Sequence, residues 1–340
     1  MTIAGTTAAI FGCIGPQLSP DEHAFFRDAD PFGFIVFARN VETPDQLYRL
    51  TSDLRASVGR DALVLVDQEG GRVQRLRAPH WHEWSPPLDA IAAAPDLATA
   101  CRIMALRATL IAAELRAVGI DANCAPVADI ATTATHPFLR NRCYGTATAA
   151  VTAIARAVAD AYLAGGVLPV VKHLPGHGRA AGDTHLDLPT VTADAATLQT
   201  TDFAPFRALA DLPMAMTAHI IYAAYDADHP ATQSPRMIDI IRRDIGFDGL
   251  LLTDDLNMQA LSGTLAERTL RSMAAGCDLA LHCKGDLTEM QAVAAAAGPM
   301  RADTRARAVA ALKQRQLPAV TDTASLLADL AGLSQGPVHA

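Results

Sequence analysis

Eight short apolar runs recur along this chain, at residues 8–14, 33–37, 62–66, 122–127, 168–171, 214–217, 249–253 and 278–282, each with the length of a buried strand. Between most of them lie Ala- and Leu-rich segments with helical spacing, as at residues 96–118, 149–164 and 256–275. Pro20 before Asp21-Glu22, and Pro44 before Asp45, read as helix starts with acidic first turns. Strands that alternate with helices make βα units and a parallel sheet. Eight units predict an α/β fold, a single (β/α)8 TIM-type barrel over residues 1–340, with a helical extension from about residue 300. A doubly wound open sheet competes, but it favours a G-x-G-x-x-G turn after an early strand, and the sequence has none.

Composition fits such a frame. Half the residues are hydrophobic and 19% are charged, enough apolar material for a large core. The formal charge of -8, with no basic block, argues against a nucleic-acid partner. No run of about 18 uncharged apolar residues predicts a membrane span. The N-terminus has no positive charge before its apolar run and does not read as a signal peptide. Six cysteines are scattered without a C-x-x-C pair, the pattern of a reducing compartment. The expectation is a cytoplasmic protein acting on a small molecule.

The polar residues share an address just after the apolar runs. Ala38-Arg39-Asn40 follows the second, and Asp67-Gln68-Glu69-Gly70-Gly71-Arg72 the third, with Arg75 close behind. Asp129 follows the fourth, Lys172-His173 the fifth, His219 the sixth and Asp254-Asp255 the seventh. In a barrel these ends converge on one mouth, where barrel enzymes place their active sites. Each residue also has a plainer role: Asp254 or Asp255 capping a helix near Leu256, Lys172 a solvated charge, His219 a satisfied core histidine, Arg39 and Arg142 surface ion pairs. That all of them fall at strand ends favours one shared site.

The densest stretch is KHLPGHGRAAGDTHLDLP, residues 172–189, a loop punctuated by Pro175, Gly176, Gly178 and Gly182. A carboxylate at one strand end and a His/Asp-bearing loop at another fit a two-step displacement at a sugar carbon. In that scheme one carboxylate attacks while a second group protonates the leaving oxygen. Asp183-Thr184-His185 offers that second group, because an adjacent Asp favours the protonated imidazole. The attacking carboxylate must stay ionised, which Lys172 or an arginine assists. Strand alternation puts Asp254 and Asp255 on opposite faces but does not choose between them.

GFIVFARN, VDQEGGRVQRL, NCAPVADI, NRCYG, KHLPGHG followed by DTH, MTAHIIY and GFDGLLLTDDLNMQAL occur in this order over residues 33–283. Together they resemble glycoside hydrolase family 3, specifically its single-domain bacterial β-N-acetylhexosaminidases. The resemblance implies Asp254 as nucleophile, His185 as acid/base with Asp183 as its partner, and no metal or organic cofactor. It implies an N-acetylglucosamine ring bound by Asp67, Arg75, Arg142, Lys172 and His173, with muropeptides of cell-wall recycling as substrates. Leu174 and Arg179-Ala180 stand where the family commonly has Phe and Asp-Thr, while the spacing from Gly178 to Asp183 is kept.

Three other schemes use the same residues. Adjacent carboxylates also suit a substrate-assisted route in which the acetamido group attacks. His173, His177, His185 and Asp254 could serve a metal-dependent barrel hydrolase. A non-catalytic amino-sugar-binding protein would keep the pocket without the turnover.

Overall fold

Parity along the apolar runs decides which way each strand faces. The computed structural model describes residues 4–180, 188–318 and 321–334. Among them, eight parallel strands close into a barrel: β1 (Thr7–Gly12), β2 (Pro31–Val36), β3 (Leu63–Val66), β4 (Ala122–Asn123), β5 (Leu168–Leu174), β6 (Met214–Thr217), β7 (Leu250–Asp255) and β8 (Leu279–His282). They follow one another around the barrel in chain order, and β1 closes on β8 with Ile10 opposite Leu281. All eight apolar runs therefore became strands of a (β/α)8 barrel.

Leu63 and Leu65, Leu168 and Val170, Met214 and Met216, Leu250 and Leu252, and Leu279 and Leu281 share one buried cluster that fills the barrel interior. Val64, Val66, Val171, Ala215, Leu251 and Ala280, of opposite parity, join the cluster packed against the surrounding helices. Side chains thus fill both layers, and the interior is a packed core rather than a pore.

Helix starts follow the local chemistry. Ser19 caps helix Pro20–Ala29 in a reciprocal box with Glu22, and Thr43 caps helix Pro44–Val58. Asp96 caps Leu97–Ala117, close to the predicted boundary. The helix expected over residues 256–275 is shorter, at Leu265–Ala275, and neither Asp254 nor Asp255 caps it. Thr264 and Glu267 form its capping box, and Gly263 enters it at a φ of +88°. Upstream, Asp255 Oδ1 accepts the Asn257 N–H at 3.1 Å, a turn that competes with helix and leaves residues 256–264 as loop.

Strand β4 is also shorter than the run that predicted it. Pro126 lacks a donor, but the segment stays against β5: Lys172 N donates to Pro126 O at 3.1 Å and Ala128 N to Lys172 O at 2.9 Å. Helix Ala302–Leu312 packs Ala308, Ala311 and Leu312 into the interior cluster beside Ala4 and Ala8, closing the end where the strands begin. Thr304 and Arg307 reach Asp278, buried just before β8, and Arg315 reaches Asp121 just before β4. At the other end, Thr190–Val191, Ile221–Tyr222 and Asp226–Pro230 form a small sheet beside the mouth. Among the described residues no helix is long and apolar enough to cross a membrane.

Candidate active site

Interior parity carries to the ends of the strands and, at Asp67, just past one, and delivers polar groups to one place. Leu63 and Leu65 lead to Asp67, Leu168 and Val170 to Lys172, and Leu250 and Leu252 to Asp254. Asp67, Lys172 and Asp254 line a cavity of about 230 Å³ at the mouth, floored by Ile35, Met216 and Leu281 from the top of the barrel core. Arg75, Arg142, His173 and His177 line its walls. The register of β7 on β8 shifts between Leu252 and Asp255, and this bulge brings the Asp255 carboxyl to the cavity as well.

Four of these groups, with Glu69 behind them, form an alternating ionic chain. Arg75 Nη2 donates to Asp67 Oδ2 at 3.0 Å, and Lys172 Nζ to Asp67 Oδ1 at 2.8 Å. Lys172 Nζ also lies 2.7 Å from Glu69 Oε1. Arg142 grips Glu69 with two bonds, Nε to Oε2 and Nη2 to Oε1, each 2.8 Å. Burial opposes the charge on Asp67, but Lys172 and Arg75 hold its carboxyl far below the usual range. Burial opposes Glu69 likewise, and Arg142 and Lys172 bring it down to about 2. Against burial, Asp67 and Glu69 hold the Lys172 ammonium above its ordinary value. Arg142 and Lys172, at 7% and 2% exposure, are thus neither a surface ion pair nor a solvated charge.

The turn that carries these carboxylates is pinned by Gln68. Its Oε1 accepts the Arg75 and Leu76 N–H groups at 2.9 and 3.1 Å, and its Nε2 donates to Leu76 O at 2.9 Å. Gly70 and Gly71 have φ of +104° and +58°, and a Cβ on Gly70 would lie 1.7 Å from Arg107 Nη2. These glycines let the backbone reverse against a buried arginine. Phe37 is faced by the Arg39 and Arg75 guanidiniums, each 5.1 Å from its centroid. Among the described residues Arg39 makes no ion pair; it donates to the carbonyls of Cys13 and Cys283.

Histidine contacts are equally specific. His173 Nδ1 donates to Asp129 Oδ2 at 2.7 Å, while the His173 and His177 backbone N–H groups donate to Asp129 Oδ1 at 3.2 and 2.7 Å. Burial works against the Asp129 charge, but His173 outweighs it and holds the carboxyl low. Burial, reinforced by His173, pushes His177 down to about 4. His219 is buried, with its pKa lowered mainly by burial. Its Nε2 lies 3.1 Å from Asp255 O and its Nδ1 2.8 Å from Thr232 Oγ1, which itself donates to Ala218 O at 3.0 Å. His219 is thus a satisfied core histidine that steadies the end of β7.

The adjacent carboxyls of β7 differ. Burial acts to raise Asp254, but the His173 and His219 rings, the Asp255 N–H at 2.8 Å and Lys172 hold it below the usual carboxylate value. Burial pushes Asp255 up to about 6, against the Asn257 and Cys283 N–H groups that bond its Oδ1 at 3.1 and 3.2 Å. One carboxylate is ionised and faces the cavity; its neighbour is tied to backbone.

Asp183 and His185 lie outside the described residues. Among the described residues no group of three His, Cys, Asp or Glu side chains is placed to hold a metal ion. Sequence reading put Glu69 at the rim of the third strand but gave it no role in the site. Its signal was the Glu-Gly-Gly triplet, which reads equally well as an ordinary turn.

The family described as "Glycosyl hydrolase family 3 N terminal domain" matches residues 19–312. The chain is 39% identical over 281 residues to a beta-hexosaminidase of Methylococcus capsulatus, covering 81% of this chain and 82% of that protein. It is 37% identical over 279 residues to a beta-hexosaminidase of Alkalilimnicola ehrlichii, covering 81% and 80%. Among solved structures it is similar to NagZ from Neisseria gonorrhoeae in complex with N-trifluoroacetyl-D-glucosamine. That match has a TM-score of 0.87 at 27% identity, over 98% of this chain and all of the other.

Proposed function

The chain belongs to glycosyl hydrolase family 3 and is a glycoside hydrolase of the β-N-acetylhexosaminidase type, and we propose that it removes terminal non-reducing β-linked N-acetylglucosamine from muropeptides with retention of configuration. The proposed substrate is N-acetylglucosamine joined to 1,6-anhydro-N-acetylmuramic acid, released during peptidoglycan recycling. The whole chain acts as one catalytic domain. Its proposed compartment is the cytoplasm, where six free thiols persist.

Asp254 attacks the anomeric carbon and forms a glycosyl ester. His185, partnered by Asp183, gives its proton to the departing glycosidic oxygen. Water then enters, the same imidazole takes its proton, and the C–O bond to Asp254 breaks to release the sugar. Asp67 accepts from the sugar hydroxyls, while Arg75, Arg142, Lys172 and His173 supply donors.

The observation that carries this reading is the unequal environment of the two β7 carboxyls. Asp254 is kept ionised in the cavity, as a nucleophile must be. A substrate-assisted route asks two neighbouring carboxyls to orient the acetamide and donate a proton, but the Asp255 carboxyl is engaged with two backbone N–H groups. The test is proton NMR during cleavage of the disaccharide. Initial release of the β-anomer of N-acetylglucosamine supports the proposal, and initial release of the α-anomer, or no release, refutes it.

A further inference from the structure

Glu69 is the most enclosed carboxylate of the ionic chain, with a side chain 1% exposed. It is not among the residues that line the cavity, yet both cations it holds, Arg142 and Lys172, do line it. Its backbone is fixed as firmly as its side chain. Arg107, itself buried on helix Leu97–Ala117, donates to Glu69 O at 2.5 Å, and Glu69 N donates to Val73 O at 2.9 Å.

Stability does not explain such an arrangement. Burying a charged pair costs about as much as the pairing returns, and apolar replacements are often as stable. What the network supplies is direction. A two-pronged grip fixes the plane of the Arg142 guanidinium, and the Lys172 ammonium is held between Asp67, to which it donates, and Glu69, with which it forms an ion pair.

Resting on the sugar-binding roles proposed above, we infer that Glu69 is a positioning residue for substrate. From behind the cavity wall it orients Arg142 and Lys172 toward the hydroxyls of the bound sugar, and Arg107 fixes the turn from which it does so. Glu69 does not touch the sugar. Its removal therefore weakens binding more than it slows the chemical step.

The test compares wild type, Glu69→Gln, Glu69→Asp and Lys172→Ala with 4-nitrophenyl N-acetyl-β-glucosaminide. Glu69→Gln is expected to raise KM about tenfold, the worth of one charge-assisted hydrogen bond, with a smaller change in kcat. A second readout is the split between KM and kcat across the series. Glu69→Asp, which keeps the charge but withdraws the carboxylate by one methylene, is expected to give a KM between wild type and Glu69→Gln with kcat near wild type. A Glu69→Gln enzyme with wild-type KM, while Lys172→Ala shows a raised KM, overturns the inference alone. An unchanged KM in Lys172→Ala overturns the sugar-binding reading and this inference with it. If Glu69→Gln does not fold, an unchanged KM in Glu69→Asp is the contrary result.

Discussion

Lys172 Nζ sits 2.8 Å from Asp67 Oδ1 although the two residues are 105 positions apart. They leave β5 and β3, which are not neighbours; β4, only two residues long, lies between them. Both continue the interior parity of their strands, so the pair bridges the mouth above the packed core. Lys172→Ala leaves Asp67 and Glu69 facing each other without their shared cation. The expected cost is about 3–5 kcal/mol of stability and a raised KM for N-acetylglucosaminides. Denaturant unfolding and steady-state kinetics measure the two effects, and an unchanged KM removes Lys172 from the sugar site.

Asp254 is the carboxylate of β7 kept ionised in the cavity, and its proposed role is covalent. Asp254→Ala is expected to lower kcat by roughly 10⁴-fold or more, with the circular dichroism spectrum of wild type. Appreciable residual turnover contradicts the assignment.

Asp255 gives a pH dependence of stability whose sign is fixed by burial. Its folded pKa of about 6 lies above the ordinary 3.8, so the fold favours the neutral acid. That contribution is complete below about 3.8 and is lost as pH rises through about 6. Asn at this position retains the oxygen that accepts from Asn257 and Cys283 but never ionises. Asp255→Asn is expected to raise the melting temperature, relative to wild type, more at about pH 7.5 than at about pH 4.5. A difference independent of pH is the contrary result of paired calorimetric scans.

His185 tests the second half of the mechanism. His185→Ala is expected to slow cleavage of the disaccharide far more than that of nitrophenyl glycosides, whose leaving groups need little protonation. Equal losses on both substrates count against the acid role.

Much of the fold was legible because barrel strands are buried on both sides. Such strands read as largely apolar runs, and all eight did. What misled was local competition. Residues 256–264 have helical composition, but Asp255 and Asn257 form a turn first, and Thr264 with Glu267 supplies a better start. Parity could have placed Asp254 inside once Leu250 and Leu252 were assigned to the interior, but the sequence does not say which face of β7 is interior. Glu69 was hidden for another reason. Its partners lie 73 and 103 residues away, and nothing local distinguishes a carboxylate bound by two cations from one at the surface of a turn.

The most direct measurement of the central claim is mass spectrometry of the intact protein after incubation with a 5-fluoro-N-acetylglucosaminyl donor, followed by peptide mapping. Retaining hydrolysis through Asp254 predicts one sugar adduct on the peptide containing Asp254, and none in Asp254→Ala. An enzyme that cleaves 4-nitrophenyl N-acetyl-β-glucosaminide but forms no adduct, or forms it on another residue, contradicts the account.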